Sequence, residues 1–331
     1  MAALHQIPVA DGTARLRAPA AGSVRRILVV ADLEKPGVRE FRWQILPWLE
    51  QRTERVELQG DVRAFVKARA ALPPETLAQD VPDLVVVLGG DGAILAAVRA
   101  FADHPVPTVG INFGRVGFLA STPLGAWAEV LEGILAGEGV LEPRMRLAAE
   151  LNPRSGESMR TVALNDVVVQ RGLTQGMLTV SLSVDSEWVS DYRADGLIIA
   201  TPSGSTAHSL SAGGPILIPS MLALVVTPIC PQGLSYRPLV LHPDSHLEVK
   251  VTASSGMTTL VVDGQGFIPM RQGDSVRLSR HPVAYPLLAW AALDPYRRLR
   301  ERLGWSGQTE PTADEGTYLD QATDVGHGGV L

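Results

Sequence analysis

"VVVLGGDGAILAAVRAFAD", Val85 to Asp103, runs an apolar segment into Gly-Gly-Asp-Gly and then directly into a helical pattern. A continuous run of Val and Leu suits a strand buried on both faces, the habit of parallel sheets covered by helices. Beyond the glycines, Ile94, Leu95, Val98 and Phe101 fall on one side of a helix. Strand, tight turn and helix in this order place the turn at the carboxyl edge of an open α/β sheet, where such sheets hold their ligands.

The turn itself has a chemical logic. Gly89, Gly90 and Gly92 let backbone approach a bulky group with no Cβ in the way, and the helix that follows points its free N–H groups and positive dipole end at the same spot. That environment attracts phosphate. Asp91 in the middle of it is repulsive to phosphate unless its charge is used. It can share a Mg²⁺ ion with phosphate oxygens or take a proton from an attacking hydroxyl. The plainer alternative is that Asp91 caps the helix.

Working outward, the first half alternates strand and helix signals. "RRILVVAD" precedes a helical "VREFRWQILPWLEQR" interrupted by Pro47, and "PTVGIN" follows the glycine-led helix. Residues 25–145 read as a doubly wound parallel α/β domain. The period then changes from 3.6 to 2. Val180, Leu182 and Val184 alternate with serines, Leu247, Val249 and Val251 alternate in "HLEVKV", and Asp263-Gly264 suits a hairpin turn. Residues 146–284 read as a β-sandwich-like domain. "LLAWAALDPYRRLRERLGW" reads as helix again on both sides of Pro295, so that 285–305 is expected as a C-terminal helix returning to the first domain. The ends, 1–24 and 306–331, are expected to be a mobile arm and tail.

Composition excludes several classes. A formal net charge of -6 argues against nucleic acid or anionic membrane as partner. The lysines are Lys35, Lys67 and Lys250 alone, and none follows a glycine-rich loop, which excludes a Walker A site. The single cysteine, Cys230, rules out an intrachain disulfide and suits a reducing cytoplasm. No secretory signal is read at the N-terminus. The most apolar stretch, "ILIPSMLALVVTPIC", is broken by Pro219, Ser220 and Pro228 and is too short to span a bilayer. The seven histidines show no zinc-like spacing.

Gly-Gly-Asp-Gly occurs in several kinase families, including 6-phosphofructokinases and the diacylglycerol and sphingosine lipid kinases. The rest of the chain separates them. "GINFGRVGFLA" (110–120), "ALNDVVV" (163–169), "DGLIIATPSGSTAHSLSAGGPI" (195–216), "TPICPQGLSYRPLV" (227–240), "VDGQ" (262–265) and "RRLRERLGW" (297–305) resemble the NAD kinase family in order and spacing. The resemblance covers residues 25 to 305. It implies transfer of the γ-phosphoryl group of ATP, or of polyphosphate, to the 2′-hydroxyl of the adenosine ribose of NAD, with Mg²⁺ or another divalent cation. It also implies an α/β domain followed by a β-sandwich-like one, in a homodimer or homotetramer.

By the same resemblance Asp91 is the catalytic aspartate, the base at the 2′-hydroxyl, and Gly89, Gly90, Gly92 and Arg115 face the donor phosphates. Phe118, Asn165, Asp166, Asp195, Ser203, Thr206, Ala207, His208 and Ser211 are placed at NAD, with Asp166 shorter than the family's usual glutamate. Read from the residues alone, Asn165 and Asp166 could equally bond a turn, and the hydroxyls of "TPSGSTAHS" could cap a helix. Asp263-Gly264 reads as a turn rather than a ligand contact. His208 stands where the family has tyrosine, and Gln232-Gly233 where it has histidine and a small polar residue. A lipid kinase and a non-catalytic NAD-binding regulator are the competing readings. The first lacks its own second glycine motif here, and the second has no use for Asp91.

Overall fold

The computed structural model describes residues 17–114, 117–172, 176–290 and 295–305. Its first layer is built from β1 (Arg26–Ala31), α1 (Pro36–Glu50), β2 (Arg55–Gln59), α2 (Val62–Ala70), α3 (Pro74–Gln79), β3 (Leu84–Leu88), α4 (Asp91–Ala100), β4 (Thr108–Asn112), β5 (Thr122–Pro123), α5 (Trp127–Leu135) and β6 (Val140–Arg144). Strands β2, β1, β3 and β4 lie side by side and parallel. Phe41, Ile45 and Leu49 of α1 join Leu131 and Ile134 of α5 over Ile27, Val29 and Val86 on one face. Phe65 of α2 joins Ile94 and Leu95 of α4 over Leu28, Val85 and Val87 on the other. Burial on both faces is why β1 and β3 read as apolar runs, whereas the edge strand β2, RVELQ, is only half-buried. Chain order reverses between β1 and β3, so the crevice beyond their carboxyl ends is the topological switch point, and Gly-Gly-Asp-Gly opens onto it.

The second layer comprises β7 (Leu147–Asn152), β8 (Met159–Ala163), β9 (Asp166–Arg171), β10 (Leu178–Val184), β11 (Glu187–Ala194), β12 (Gly196–Ala200), α6 (His208–Ser211), β13 (Leu224–Ile229), β14 (Leu239–Leu241), β15 (Leu247–Ser254), β16 (Thr258–Val262), β17 (Gly266–Met270) and β18 (Ser275–Arg280). These strands form two antiparallel six-stranded sheets, in the orders β11-β10-β15-β18-β7-β8 and β14-β13-β12-β9-β16-β17. Val180, Leu182, Val249 and Val251 of the first sheet share one core with Val167, Val169, Leu197 and Ile199 of the second. The alternation with Ser181 and Ser183 is the expected pattern of a sheet with one buried face.

Three expectations are corrected. The residues around 285 are not helical. Tyr285–Ala289 is strand β19, wholly buried, parallel to β4 and antiparallel to β6 in the first sheet. An apolar run of this length fits either a buried helix or a buried strand, and here the open edge between β4 and β6 decides it. What returns to the first sheet is thus a strand, which also makes that sheet mixed at its β6 edge. The helix is α7 (Pro295–Leu303) alone. It belongs to a separate compact unit, and its Arg297 pairs with Glu301 one turn on, at 2.7 Å.

Pro47 does not interrupt α1, which runs through it. The proline is on the exposed face, where the carbonyl freed by its missing N–H can turn to water. Residues 17–24 of the expected arm are placed: Val24 is buried, and Gly22 N–H donates to Leu135 O at 3.4 Å. The rest of the arm and the tail, 1–16 and 306–331, lie outside the described residues, as does Arg115. No helix among the described residues is long and apolar enough to cross a membrane.

Candidate active site

Gly90 is the N-cap residue of α4 and Asp91 its first helical residue. Asp91 does not cap the helix. Its carboxylate reaches across to the segment after β4 and accepts three consecutive backbone N–H groups: Phe118 on Oδ2 at 2.9 Å, Leu119 and Ala120 on Oδ1 at 3.0 Å each. The turn it grips is closed by Gly117 N–H to Ala120 O at 3.1 Å. A Cβ on Gly117 would lie 1.9 Å from Asp91 Oδ1, so the close approach demands glycine there. In the sequence, Gly117 is one glycine within "GINFGRVGFLA", with nothing beside it to mark this contact.

The glycines beside Asp91 are different. Gly90 has φ −89°, open to any residue, and a Cβ added to it would meet nothing within 4 Å. Gly92 would meet only the Gln265 Nε2 atom, at 3.8 Å. Neither glycine is required by the packing of the chain. Bare backbone beside a helix N-terminus is what an incoming phosphate requires.

Asn165 and Asp166 lie at the end of β9 that pairs with Ala200 of β12. There Thr201 N–H donates to Asn165 O at 2.8 Å and Thr201 Oγ1 to Leu164 O at 2.6 Å. A Cβ on Gly204 would stand 2.0 Å from Asn165 O. These contacts press "LND" and "TPSGS" into one wall. On it, Asn165 Oδ1 and Ser203 Oγ are buried with no hydrogen-bond partner, Ser203 being 5% exposed. Unpaired buried polar atoms are costly in a folded chain and point to a ligand that completes them. Thr206 Oγ1 donates to Ser203 O at 3.2 Å. His208 and Ser211 stand on the exposed side of the short α6, beyond the half-buried Ala207.

Asp195 is not brought to this wall within the chain. It precedes β12 at the opposite end from Thr201, held in a two-pronged pair with Arg171 at 2.6 and 3.3 Å. Its sequence continuity with "TPSGST" is real, but a five-residue strand separates them.

Asp263 is more than the turn residue expected. It is buried, and its carboxylate accepts N–H groups from Leu164 at 2.9 Å, Asn165 at 2.7 Å and Asp166 at 3.1 Å. It therefore holds the Asn165-Asp166 turn as Asp91 holds 118–120. Two residues on, Gln265 Nε2 donates to Gly92 O at 2.8 Å, which brings this wall to the glycine turn.

Burial, reinforced by repulsion from Asp263, raises the Asp166 carboxyl to about 7. Burial also raises Asp263, opposed by its three N–H donors and by Arg99. Two carboxyls this close titrate as a pair. For Asp166 the folded value lies above the unfolded one, so the native state holds the extra proton. Its contribution to stability is full below about pH 4, the unfolded carboxylate range, and is lost as pH rises through about 7. The melting temperature should therefore fall between about pH 5 and pH 8, and Asp166→Asn should flatten that fall. An unchanged slope in the variant would assign the effect to other groups.

Among the described residues no group of three or more His, Cys, Asp or Glu is placed to hold a metal. One carboxylate beside a helix N-terminus fits Mg²⁺ if phosphates bind there, since the ion is commonly carried by one or two carboxylates, water and the substrate's own phosphates. A cleft of about 1090 Å³ opens elsewhere, between α2, the end of α4 and the outer face of the β7–β18 sheet. None of the expected site residues lines it.

Both layers match known proteins. The ATP-NAD kinase N-terminal domain matches residues 44–139, and the ATP-NAD kinase C-terminal domain residues 164–289. An NAD kinase of Nitrosomonas europaea is 43% identical over 226 residues, covering 68% of this chain and 76% of that protein. Yeast NADH kinase, solved with NADH, superposes with a TM-score of 0.74 at 26% identity, over 87% of this chain and 90% of the other. An NAD kinase of Archaeoglobus fulgidus, solved with ATP, gives 0.63 at 26% identity, over 83% and 99%. The two domain matches span more than half of the sequence, in the order in which the two layers carry the glycine turn and the Asn165 wall, and the chain belongs to the ATP-NAD kinase family.

Proposed function

We propose that this chain phosphorylates NAD to NADP, with the glycine turn on the donor, the Asn165–Ser203 wall on the acceptor and Asp91 between them. One observation carries the reading: a carboxylate beside glycines that the packing does not need stands at the switch point of the sheet, and the 263–265 turn bonds this region to the wall that holds the unpaired buried polar atoms. The relatives solved with NADH and with ATP support the two halves of the site.

The clamp around Asp91 selects the atom that works. Oδ1 receives two N–H bonds and has both lone pairs engaged, whereas Oδ2 receives one and keeps a lone pair free. Oδ2 takes the proton of the 2′-hydroxyl as its oxygen forms a bond to the γ-phosphorus. The bond from that phosphorus to the β–γ bridging oxygen breaks, and ADP leaves with the electron pair. Backbone N–H groups at the start of α4 stabilise the charge on the transferring group, and a bound Mg²⁺ would neutralise the donor phosphates. Asn165 and Ser203 fix the acceptor so that a single hydroxyl meets the donor.

The exposed apolar side chains Trp188, Leu234 and Val240 lie on and beside β11 and β14, edge strands of the two sandwich sheets. The loop carrying Leu234 is tied to β11 by Tyr236, whose hydroxyl donates to Asp191 O at 2.6 Å. Exposed apolar side chains along sheet edges suit a second copy of the chain, which supports a homo-oligomer as the assembly. A single exposed cysteine, Cys230, suits the cytoplasm.

Steady-state assays with ATP and polyphosphate as donors, and NAD, NADH and diacylglycerol as acceptors, test the reading. Asn165→Ala should raise the KM for NAD about 5- to 20-fold, the value of one or two hydrogen bonds, and leave the KM for ATP nearly unchanged. An equal rise in both would place Asn165 on the donor, and transfer to diacylglycerol alone would replace the reading.

A further inference from the structure

The hairpin turn between β16 and β17 touches both halves of the site. Val262 pairs with Gly266, so the loop is residues 263–265; Asp263 and Gly264 take left-handed φ of 50° and 64°, which Asp-Gly favours, and Gln265 N–H closes the turn on Val262 O at 3.0 Å. Asp263 points to one side and holds the N–H groups of residues 164–166. Gln265 points to the other. Its Nε2 donates to Gly92 O at 2.8 Å, and its Oε1 accepts from Arg99 Nη2 at 2.8 Å. Gly92 is the second residue of α4 and Arg99 stands in its last turn, so one amide is bonded near both ends of the helix that begins with Asp91. A guanidinium has donors only, so Arg99 turns the oxygen of the amide toward itself and its NH₂ toward Gly92.

We propose that Gln265, oriented by Arg99, is a positioning residue for phosphoryl transfer, setting the distance between Asp91 and the turn that holds the acceptor. The proposal rests on the activity reading above. Its physical basis is that three residues, 263 to 265, form a rigid bracket. One end fixes the Asn165-Asp166 turn through buried bonds, and the other fixes the carbonyl next to Asp91. The bond to Gly92 is exposed to solvent, so it adds little to the stability of the fold. Its value lies in geometry, because misplacing reacting groups by about 1 Å can cost about 100-fold in rate.

The test compares Gln265→Leu, Gln265→Glu, Arg99→Met and the Gln265→Leu/Arg99→Met double variant in the full chain. Each is assayed for NAD phosphorylation and for melting temperature. Gln265→Leu should lower kcat about 10- to 100-fold with both KM values within about threefold, and the melting temperature should stay within about 3 °C. The double variant should be no slower than Gln265→Leu, since both changes remove one coupled unit. Gln265→Glu keeps an acceptor for Arg99 but sets an oxygen against the Gly92 carbonyl, and only its protonated form can donate there. Its deficit relative to the parent should therefore deepen as pH rises, a signature that a purely structural role lacks.

A parent chain that makes NADP together with a Gln265→Leu variant of equal kcat overturns the positioning role and leaves the activity reading standing. So does a loss of kcat that follows a lowered melting temperature across the set. A parent chain that transfers no phosphoryl group overturns both.

Discussion

Asp91→Asn should lower kcat for NADP formation about 100- to 10,000-fold, the cost of removing a positioned base, in a protein that still folds. The clamp sets the terms of the comparison. Asparagine oriented with its oxygen in place of Oδ1 still accepts from Leu119 and Ala120, but its NH₂ then faces the Phe118 N–H, formerly satisfied by Oδ2. One N–H loses its acceptor, at about 1–3 kcal/mol if no water replaces it. Asp91→Ala loses all three and should be the less stable of the two. Rates of both variants, read beside their urea midpoints, separate chemistry from scaffolding. A loss of kcat common to both, despite unequal stabilities, marks the missing base. Turnover near the parent's in Asp91→Asn would leave Asp91 as a loop clamp only.

Asp263→Ala should produce the larger loss of stability. The carboxylate is buried, and its removal strands three consecutive N–H groups, each at about 1–3 kcal/mol. The φ of 50° adds strain, since aspartate tolerates that region better than alanine. Asp263→Asn separates these effects. Asn165 and Asp166 both donate to Oδ1, which an asparagine oxygen can replace, so only the Leu164 bond is lost, and the charge facing Asp166 goes with it. The order of urea midpoints should be parent, Asp263→Asn, Asp263→Ala, with the KM for NAD rising in the alanine variant as the Asn165 turn loosens. Equal midpoints for parent and Asp263→Ala would show that the N–H groups find other acceptors.

These two aspartates also mark where sequence reading succeeds and stops. Gly-Gly-Asp-Gly was legible because a strand buried on both faces leaves an apolar run, and because its helix shows its buried side at the right period. The two-layer order was legible from the change of period between β4 and β10. What each aspartate binds was not legible. Their partners are backbone N–H groups 27 to 29 and 97 to 99 positions away, and a backbone amide has no letter in the sequence. Gly117 was missed for the same reason, since the group crowding it is a side chain from another element. Strand β19 was read as helix because its register is set only by β4 and β6, distant in the chain. Asp195 was grouped with Thr206 because they share a sequence block, while an extended β12 holds the two ends of that block apart.

The central claim is that this chain moves a phosphoryl group onto the 2′-oxygen of the NAD adenosine. The most direct measurement incubates the full chain with γ-labelled ATP, Mg²⁺ and NAD, then locates the label in the purified dinucleotide by ³¹P NMR. The expected product carries the labelled phosphate as a monoester on the 2′-oxygen and serves an NADP-specific dehydrogenase. Label on the 3′-oxygen, or recovered only as inorganic phosphate with NAD unchanged, would contradict it.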